Sequence, residues 1–430
     1  MSNTGLTLND SAWEKLFEKY EILKQVENDG YFNISANQIK EFREPRLMAK
    51  FDHIINLPKP FSDNQLAILP ITRGDYVISH FDAYHTFEAD SPGVVRVSLP
   101  PYIQSLDKRN IPSEAIALNC AVASGIVADF MEDEEIVATV SGRMGSGAFS
   151  FNIGDTKTGN VRQVDVNNSQ IEIDAAYEGI ASLALLEAKL DLSDDFLVRQ
   201  LYYPFRVWQS RIKKPVRPIF LVYSNGIYRL YEYAFDDPNN YSSLVLVKQR
   251  NYSVEDTAIS MSDIKDVLRR TAIVEEQRLP FPQADKFERV INLCELVCTQ
   301  ELSKTDLTER YAFDARQTDY YTNAARYLGL LDKRKENGTP LYSISENGRS
   351  ILNKDYKGRQ LAFCRVILSH KVFNMTLKQS LDKGEVPSPD EIVGFMKRSN
   401  LYRIGSDETY ERRSLTIRSW INWILSLINE

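Results

Sequence analysis

Apolar and polar positions change rhythm several times along the chain. Near the N-terminus the spacing is helical: Trp13, Leu16, Phe17, Tyr20, Leu23 and Val26 recur at threes and fours behind a capping Ser11. Phe32, Ile34, Ile39 and Phe42 suggest a second short element, as in a small helix-turn-helix. From Gln65 the rhythm alternates. Strands are expected at Gln65–Leu69, Asp75–Ser79 and Val94–Leu99, punctuated by prolines at 58, 60, 70, 92, 100 and 101. A helix of small apolar residues is expected over 113–133, with the acidic run Glu132–Glu135 at its end. Ala148–Ile153 and Val161–Val166 read as strands, the first fed by a turn at Gly142–Gly147.

The alternation is clearest in the next forty or so residues. Ile171 and Ile173 alternate with Glu172 and Asp174 in a strand over Gln170–Ala175. In Ser182–Leu190, Leu186, Ala188 and Leu190 share one face, while Glu187 and Lys189 share the other. A helix is expected from Asp194, capped by Ser193, with Pro204 ending or kinking it. Pro218–Tyr223 and Gly226–Tyr233 form a hairpin expected to close one edge of the sheet.

Beyond a mixed stretch that ends in a Pro-rich linker near residue 280, helical spacing returns. Helices are expected at Phe287–Val297, Lys304–Tyr311 and Asp314–Leu328, then a basic β-turn wing over Lys333–Ile344 and a closing helix, Ser345–Leu352. Three helices and a basic wing is the order of a winged helix. Further helices are expected at Leu361–Phe373, Asp390–Ser399 and Glu408–Ile428. The fold class is α+β and multidomain. The division is a helical and β accessory region (1–112), a central domain with a mixed sheet (113–284), a winged helix (285–358) and a C-terminal helical domain (359–430).

Composition narrows the function. With 43% hydrophobic and 26% charged residues, a chain of 430 residues can bury sizeable cores. A net charge of −7 excludes a bulk polycation, so any nucleic-acid contact depends on local basic patches. Four cysteines do not make a disulfide framework. Cys294 and Cys298 lie one turn apart in an apolar helix, and all four fit core packing better than zinc. His53, His80 and His85 lack a neighbouring ligand pattern and read as structural. The opening MSNTGLTLNDSAWEK has no apolar signal core, and no apolar run is long enough to span a bilayer, so a cytoplasmic protein without membrane contact is expected.

Chemistry gathers at the central strands. Glu-x-Lys on one strand face sets a carboxylate and an ammonium roughly 6–7 Å apart along the chain. Asp174 on the neighbouring strand can meet Glu187 across the pair. Two converging carboxylates suit Mg²⁺ while leaving room for water and phosphate, and a buried lysine beside them can orient a nucleophile. With its lone acid at Asp174 and Glu187-Ala188-Lys189 after it, the chain resembles the PD-(D/E)xK nuclease superfamily, and within it the type II restriction endonucleases. Gln200 and Tyr203 match the helix position where that superfamily often carries glutamine, while Ile173 stands where the motif has proline. The resemblance covers about residues 113–235. It implies an α/β/α nuclease core, Mg²⁺ held by Asp174 and Glu187, catalysis by Asp174, Glu187, Lys189 and Gln200, double-stranded DNA as substrate, a possible homodimer and a companion DNA methyltransferase. One carboxylate of the 132–135 run is a further ligand candidate.

The third helix of the winged-helix pattern opens with forked and planar polar groups, as recognition helices do. Arg316, Gln317, Thr318, Tyr320, Asn323 and Arg326 are the expected DNA contacts, with Lys333, Arg334 and Lys335 of the wing on phosphates. Two alternatives stay open: a non-catalytic DNA-binding regulator on a degenerate nuclease fold, and a structure-specific repair nuclease.

Overall fold

A computed structural model describes residues 7–88, 92–399, 401–402 and 404–429. The N-terminal unit contains α1 (Leu8–Lys19), α2 (Ile22–Asp29), β1 (Phe32–Ser35), α3 (Ala36–Lys40), α4 (Pro45–Met48), α5 (Lys59–Ser62), β2 (Ala67–Pro70) and β3 (Asp75–Ser79). Thr7, not Ser11, caps α1, in a reciprocal box with Asp10. Phe32 and Ile34 belong to a strand instead of a second helix, because they pair with Ile78 and Tyr76 of β3. Trp13, Leu16, Phe17 and Phe61 pack on Ile68 and Ile78 at one face of this sheet. Ala67, Leu69 and Val77 point the other way, into the core of the central domain. Both faces are therefore buried, and the border of this unit falls near residue 79, not at 112.

The central domain follows with β4 (Tyr84–Thr86), β5 (Val94–Arg96), α6 (Glu114–Ala123), α7 (Ile126–Met131), β6 (Val137–Gly145), β7 (Ala148–Gly154), β8 (Val161–Asn167), β9 (Gln170–Glu178), β10 (Leu183–Lys189), β11 (Asp195–Leu197), α8 (Arg199–Gln209), β12 (Val216–Ser224), β13 (Ile227–Phe235) and β14 (Leu244–Ser253). Seven strands form a mixed sheet in the order β5-β14-β13-β12-β10-β9-β6. The pairs β10–β12 and β14–β5 are parallel. Ala184, Leu186 and Ala188 face α6 and α7, and Leu183 and Leu185 face the opposite side, the side of α8. The β12–β13 hairpin lies inside the sheet, since β14 and β5 extend beyond it. The single helix expected over 113–133 is broken at Gly125, whose φ of 78° interrupts the α conformation.

Helices dominate the remainder: α9 (Met261–Arg270), α10 (Phe287–Cys298), β15 (Leu302–Ser303), α11 (Lys304–Arg310), α12 (Ala315–Tyr327), β16 (Leu331–Glu336), β17 (Thr339–Ile344), α13 (Glu346–Leu352), α14 (Tyr356–Leu368), α15 (Lys371–Lys383), α16 (Pro389–Lys397) and α17 (Asp407–Ser426). One continuous core runs from Ile259 to Leu427 and includes Phe287, Tyr327, Phe373 and Trp420. Packing thus has no break at 284/285 or 358/359. The unit docks on the central domain through buried polar groups: Asn292 Nδ2 donates to Leu190 O (2.7 Å), and Glu295 accepts from Ser224 Oγ (2.6 Å) and Asn225 N (2.8 Å).

Candidate active site

Backbone irregularity builds the site. The β9–β10 ladder ends at Leu186 opposite Ala175, so the strands part where Asp174 and Glu187 would come next. On the other side of β9, Val140 pairs Ala176 and Gly142 pairs Ile173. Two residues of β9, Asp174 and Ala175, therefore face the single Ser141, which is a bulge. It switches the phase of the strand: Ile171 and Ile173 pack on the α8 side, whereas Ala175 and Tyr177 pack on the α6 side. Asp174 sits at the switch. Its Oδ2 accepts from Ala188 N (2.9 Å), replacing the ladder bond that β9 no longer supplies.

Glu187 and Lys189 project together from β10, as the alternation predicts. Lys189 Nζ donates to Glu187 Oε1 (2.7 Å), and Gln200 Nε2 donates to the same oxygen (2.6 Å). Gln200 comes from the first turn of α8, and its own Oε1 is buried without a partner. Burial pushes the Glu187 carboxyl up to about 7, with Asp174 and Asp52 adding to the rise and Lys189 opposing it. Burial works against the Lys189 charge, yet Glu187, Asp52 and Glu114 outweigh it and hold the ammonium well above the ordinary lysine value. Several carboxylates thus crowd one firmly charged lysine.

The helix carrying Gln200 starts later than its pattern suggests. Asp195, Phe196 and Leu197 form β11, which pairs with β4, and the helix begins at Arg199. Phe196 and Leu197 are buried, and Asp195 is held by the backbone of Ile54, so tertiary pairing overrides the Ser193 cap. Pro204 does not end the helix, which continues to Gln209. Tyr203 points away from the site, its hydroxyl donating to Pro70 O (3.0 Å).

Residues not singled out as site residues in the sequence, Lys50, Glu114, Arg143, Glu172 and Arg199, line a cleft of about 220 Å³ with Asp174, Glu187 and Lys189, and Asp52 approaches Lys189 at 3.7 Å. Glu114 opens α6; burial raises its carboxyl, Asp174 and Asp191 add to this, and Lys189 opposes it. An acid just behind a capping serine was its only trace in the sequence. The acidic run 132–135 lies elsewhere: Asp133 accepts from Ala181 N (3.1 Å) and Glu132 pairs with Lys248. Lys214 and Arg217, basic residues that follow α8 in the chain, lie at the far end of β10, where Lys214 binds Glu178 and Arg217 binds Glu232. Among the described residues, no three His, Cys, Asp or Glu side chains converge as a ready-made metal cage. Of the carboxylates lining the cleft, Asp174 and Glu187 come from the neighbouring strands β9 and β10, and Glu114 and Glu172 from α6 and β9.

The expected DNA contacts divide. Asp314 caps α12 by accepting from Arg316 N and Gln317 N. Thr318 is only 1% exposed, its Oγ1 donating to Asp314 O (2.8 Å), so it cannot reach a base. Gln317 Oε1 accepts from Arg289 (3.2 Å) and is turned inward. Arg316 is exposed and lies against Tyr320, donating to its hydroxyl. Arg326 donates to Asn323 Oδ1 (3.3 Å). On the β16–β17 hairpin, Lys333, Arg334 and Lys335 are exposed, though Arg334 is paired with Glu301.

Three family models match the chain, and each describes a domain of unknown function. Residues 79–253 match DUF6997. Residues 10–78 match DUF6996, and 289–429 match DUF7226. The border at 78/79 and the end of the central match at 253 fall close to those set by packing, whereas the last match begins about thirty residues inside the C-terminal core that starts at Ile259. No curated protein and no solved structure matches the chain.

Proposed function

We propose that the chain is a Mg²⁺-dependent endonuclease acting on double-stranded DNA in the manner of type II restriction enzymes. One observation carries the reading: Glu187, bonded by both Lys189 and Gln200, lines one cleft with Asp174, beside strands that part at that point. A donor set of two carboxylates suits Mg²⁺, which keeps several waters and takes phosphate oxygens as its other ligands. The orphaned Gln200 Oε1 beside them is an acceptor in search of a water or metal-bound group. Asp174 and Glu187 would hold the ion, which when bound supplies Lewis acidity at the scissile phosphate.

The chain's own residues do the rest. Gln200 locks the Glu187 rotamer, and Lys189 orients the attacking water and offsets charge that grows on the phosphate. The order α10, β15, α11, α12, β16, β17 supports a winged helix as DNA reader, with Arg316, Tyr320, Asn323 and Arg326 on α12 and Lys333 and Lys335 on the hairpin. A homodimer and a companion methyltransferase belong to the restriction reading alone. Burial of Thr318 and the inward turn of Gln317 favour a second reading, a structure-specific nuclease, because they leave α12 fewer groups for base edges.

The test is incubation of the purified protein with methylated and unmethylated phage DNA, in Mg²⁺ or EDTA. Discrete Mg²⁺-dependent fragments are expected. Cleavage of branched DNA alone would support the second reading. Intact DNA in every lane, with a gel shift, would leave a DNA-binding regulator.

A further inference from the structure

The segment between α4 and α5 crosses from the N-terminal unit into the cleft and is fastened there at successive residues. Leu197 N donates to Asp52 O (2.9 Å), and Ile54 N donates to Asp195 Oδ1 (2.9 Å). His53 is buried, with Nδ1 2.6 Å from Asp195 O and Nε2 3.3 Å from Asp191 Oδ2. Three residues on, Asn56 Nδ2 donates to Thr308 O (3.0 Å) and Tyr311 O (2.8 Å) of the C-terminal unit. Such a strap has no freedom to swing clear of the site.

Its two charged side chains reach the candidate machinery. Asp52 Oδ2 lies 3.7 Å from Lys189 Nζ and 3.7 Å from Lys50 Nζ, and Asp52 Oδ1 is buried without a partner. At that distance neither ammonium is hydrogen-bonded to Asp52, which acts on both through charge; Lys50 differs in exposure, its side chain 59% exposed at the cleft mouth against 11% for Lys189. Two ammonium groups flanking one oxygen, one deep and one at the rim, are near neighbours, as consecutive phosphates of a DNA strand are.

We propose that the strap is part of the nucleolytic site: Lys50 binds the DNA phosphate next to the scissile one, and Asp52 is a positioning residue that aims Lys189. The proposal rests on the nuclease reading. It makes the N-terminal unit a component of the site, not an appendage.

The test uses full-length protein and duplex DNA, with Ca²⁺ in place of Mg²⁺ for binding. Lys50→Ala should reduce the slope of log affinity against log salt by about 1, and Lys50→Arg should restore it. Asp52→Asn should slow single-turnover cleavage at saturating DNA roughly tenfold or more with affinity unchanged, and should cost little further in a Lys189→Ala background. An unchanged salt slope in Lys50→Ala overturns the phosphate contact; this exposed position leaves folding intact. A rate loss in Asp52→Asn that adds in full to that of Lys189→Ala overturns the positioning role. Wild-type protein that binds DNA without cutting defeats the nuclease reading and the Asp52 role together, while the salt slope still judges Lys50. Wild-type protein that neither binds nor cuts overturns everything.

Discussion

The cleft at β10 and the exposed edge of α12 both carry polar residues at the period of their element, yet the fold uses them differently. In the cleft, Lys189 and Gln200 converge on one oxygen of Glu187, and Asp174 is one strand away. On α12, Thr318 is buried and Gln317 is engaged by Arg289, so part of the polar face serves packing. The difference lies in geometry. A strand has two faces, and away from a bulge residues two apart share one. A helix can be rotated to bury any stripe, and the neighbours choose which; here Phe313 and Arg289 choose it by packing on Tyr321. A polar run on a helix therefore predicts a surface less securely than a pair on a strand.

The widest separation between the two regions should come from activity. Glu187→Ala or Lys189→Ala is expected to slow cleavage by about a hundredfold to a thousandfold, the cost of removing one preorganised electrostatic group. Gln317→Ala should leave both rate and sequence preference near wild type. A Glu187→Ala protein that still cuts at an ordinary rate would end the comparison by removing the site.

Next in size is the buried ion pair behind the strap. Burial lowers the His53 pKa, but Asp191 outweighs that and raises it above the ordinary 6.5. Burial raises the Asp191 carboxyl, but His53 outweighs that and holds it below the ordinary value. The histidine contribution is fully present below pH 6.5 and is lost as pH rises through its raised folded value. The aspartate contribution is lost as pH falls through its depressed one. His53→Ala should cost about 3 kcal/mol near pH 6, since it strands a buried carboxylate. Melting curves from pH 6 to 9 should decline more steeply for wild type than for the variant; parallel curves would refute the linkage.

A smaller effect separates residues within α12. Thr318→Val should cost about 1–2 kcal/mol of stability and leave DNA preference untouched. Arg316→Ala should do the reverse, costing about 1–3 kcal/mol of discrimination at one base position. Binding to a panel of single-base site variants distinguishes them. The reverse outcome would show that α12 rotates when it meets DNA.

Smallest is a pH effect at the site. A carboxyl raised to about 7 must lose its proton before it can take a metal. Mn²⁺ affinity, followed by titration, should fall with decreasing pH below about 7, approaching tenfold per unit. An affinity flat from pH 6 to 8 would mean that Glu187 is not a ligand.

Much of the central sheet was legible because its strands are apolar runs, alternating at Gln170–Asp174, bounded by turns that carry Asn and Gly. The β9–β10 pair and the Glu187–Lys189 face follow from that alternation alone. Lys50 and Asp52 on the strap and Glu114 at the start of α6 were not legible, since these two segments lie far from β10 in sequence and little local marks them. Phe196-Leu197-Val198 was read into a helix, and its pairing with β4 lies more than a hundred residues away in sequence, beyond any local pattern. The single C-terminal core was missed for a similar reason: spacing shows which residues are buried, not which helices share an interior.

The extra residue at Asp174–Ala175 has a consequence for how this site can be lost. Deleting Ala175 would remove no acid, no lysine and no glutamine. It would restore even alternation along β9, turn either Ile173 or Tyr177 out of its core, and re-aim the carboxylate of Asp174. A chain one residue shorter at this point could keep every reactive group and still have nowhere to assemble them. The length of that strand is as much a part of the chemistry as the side chains it carries.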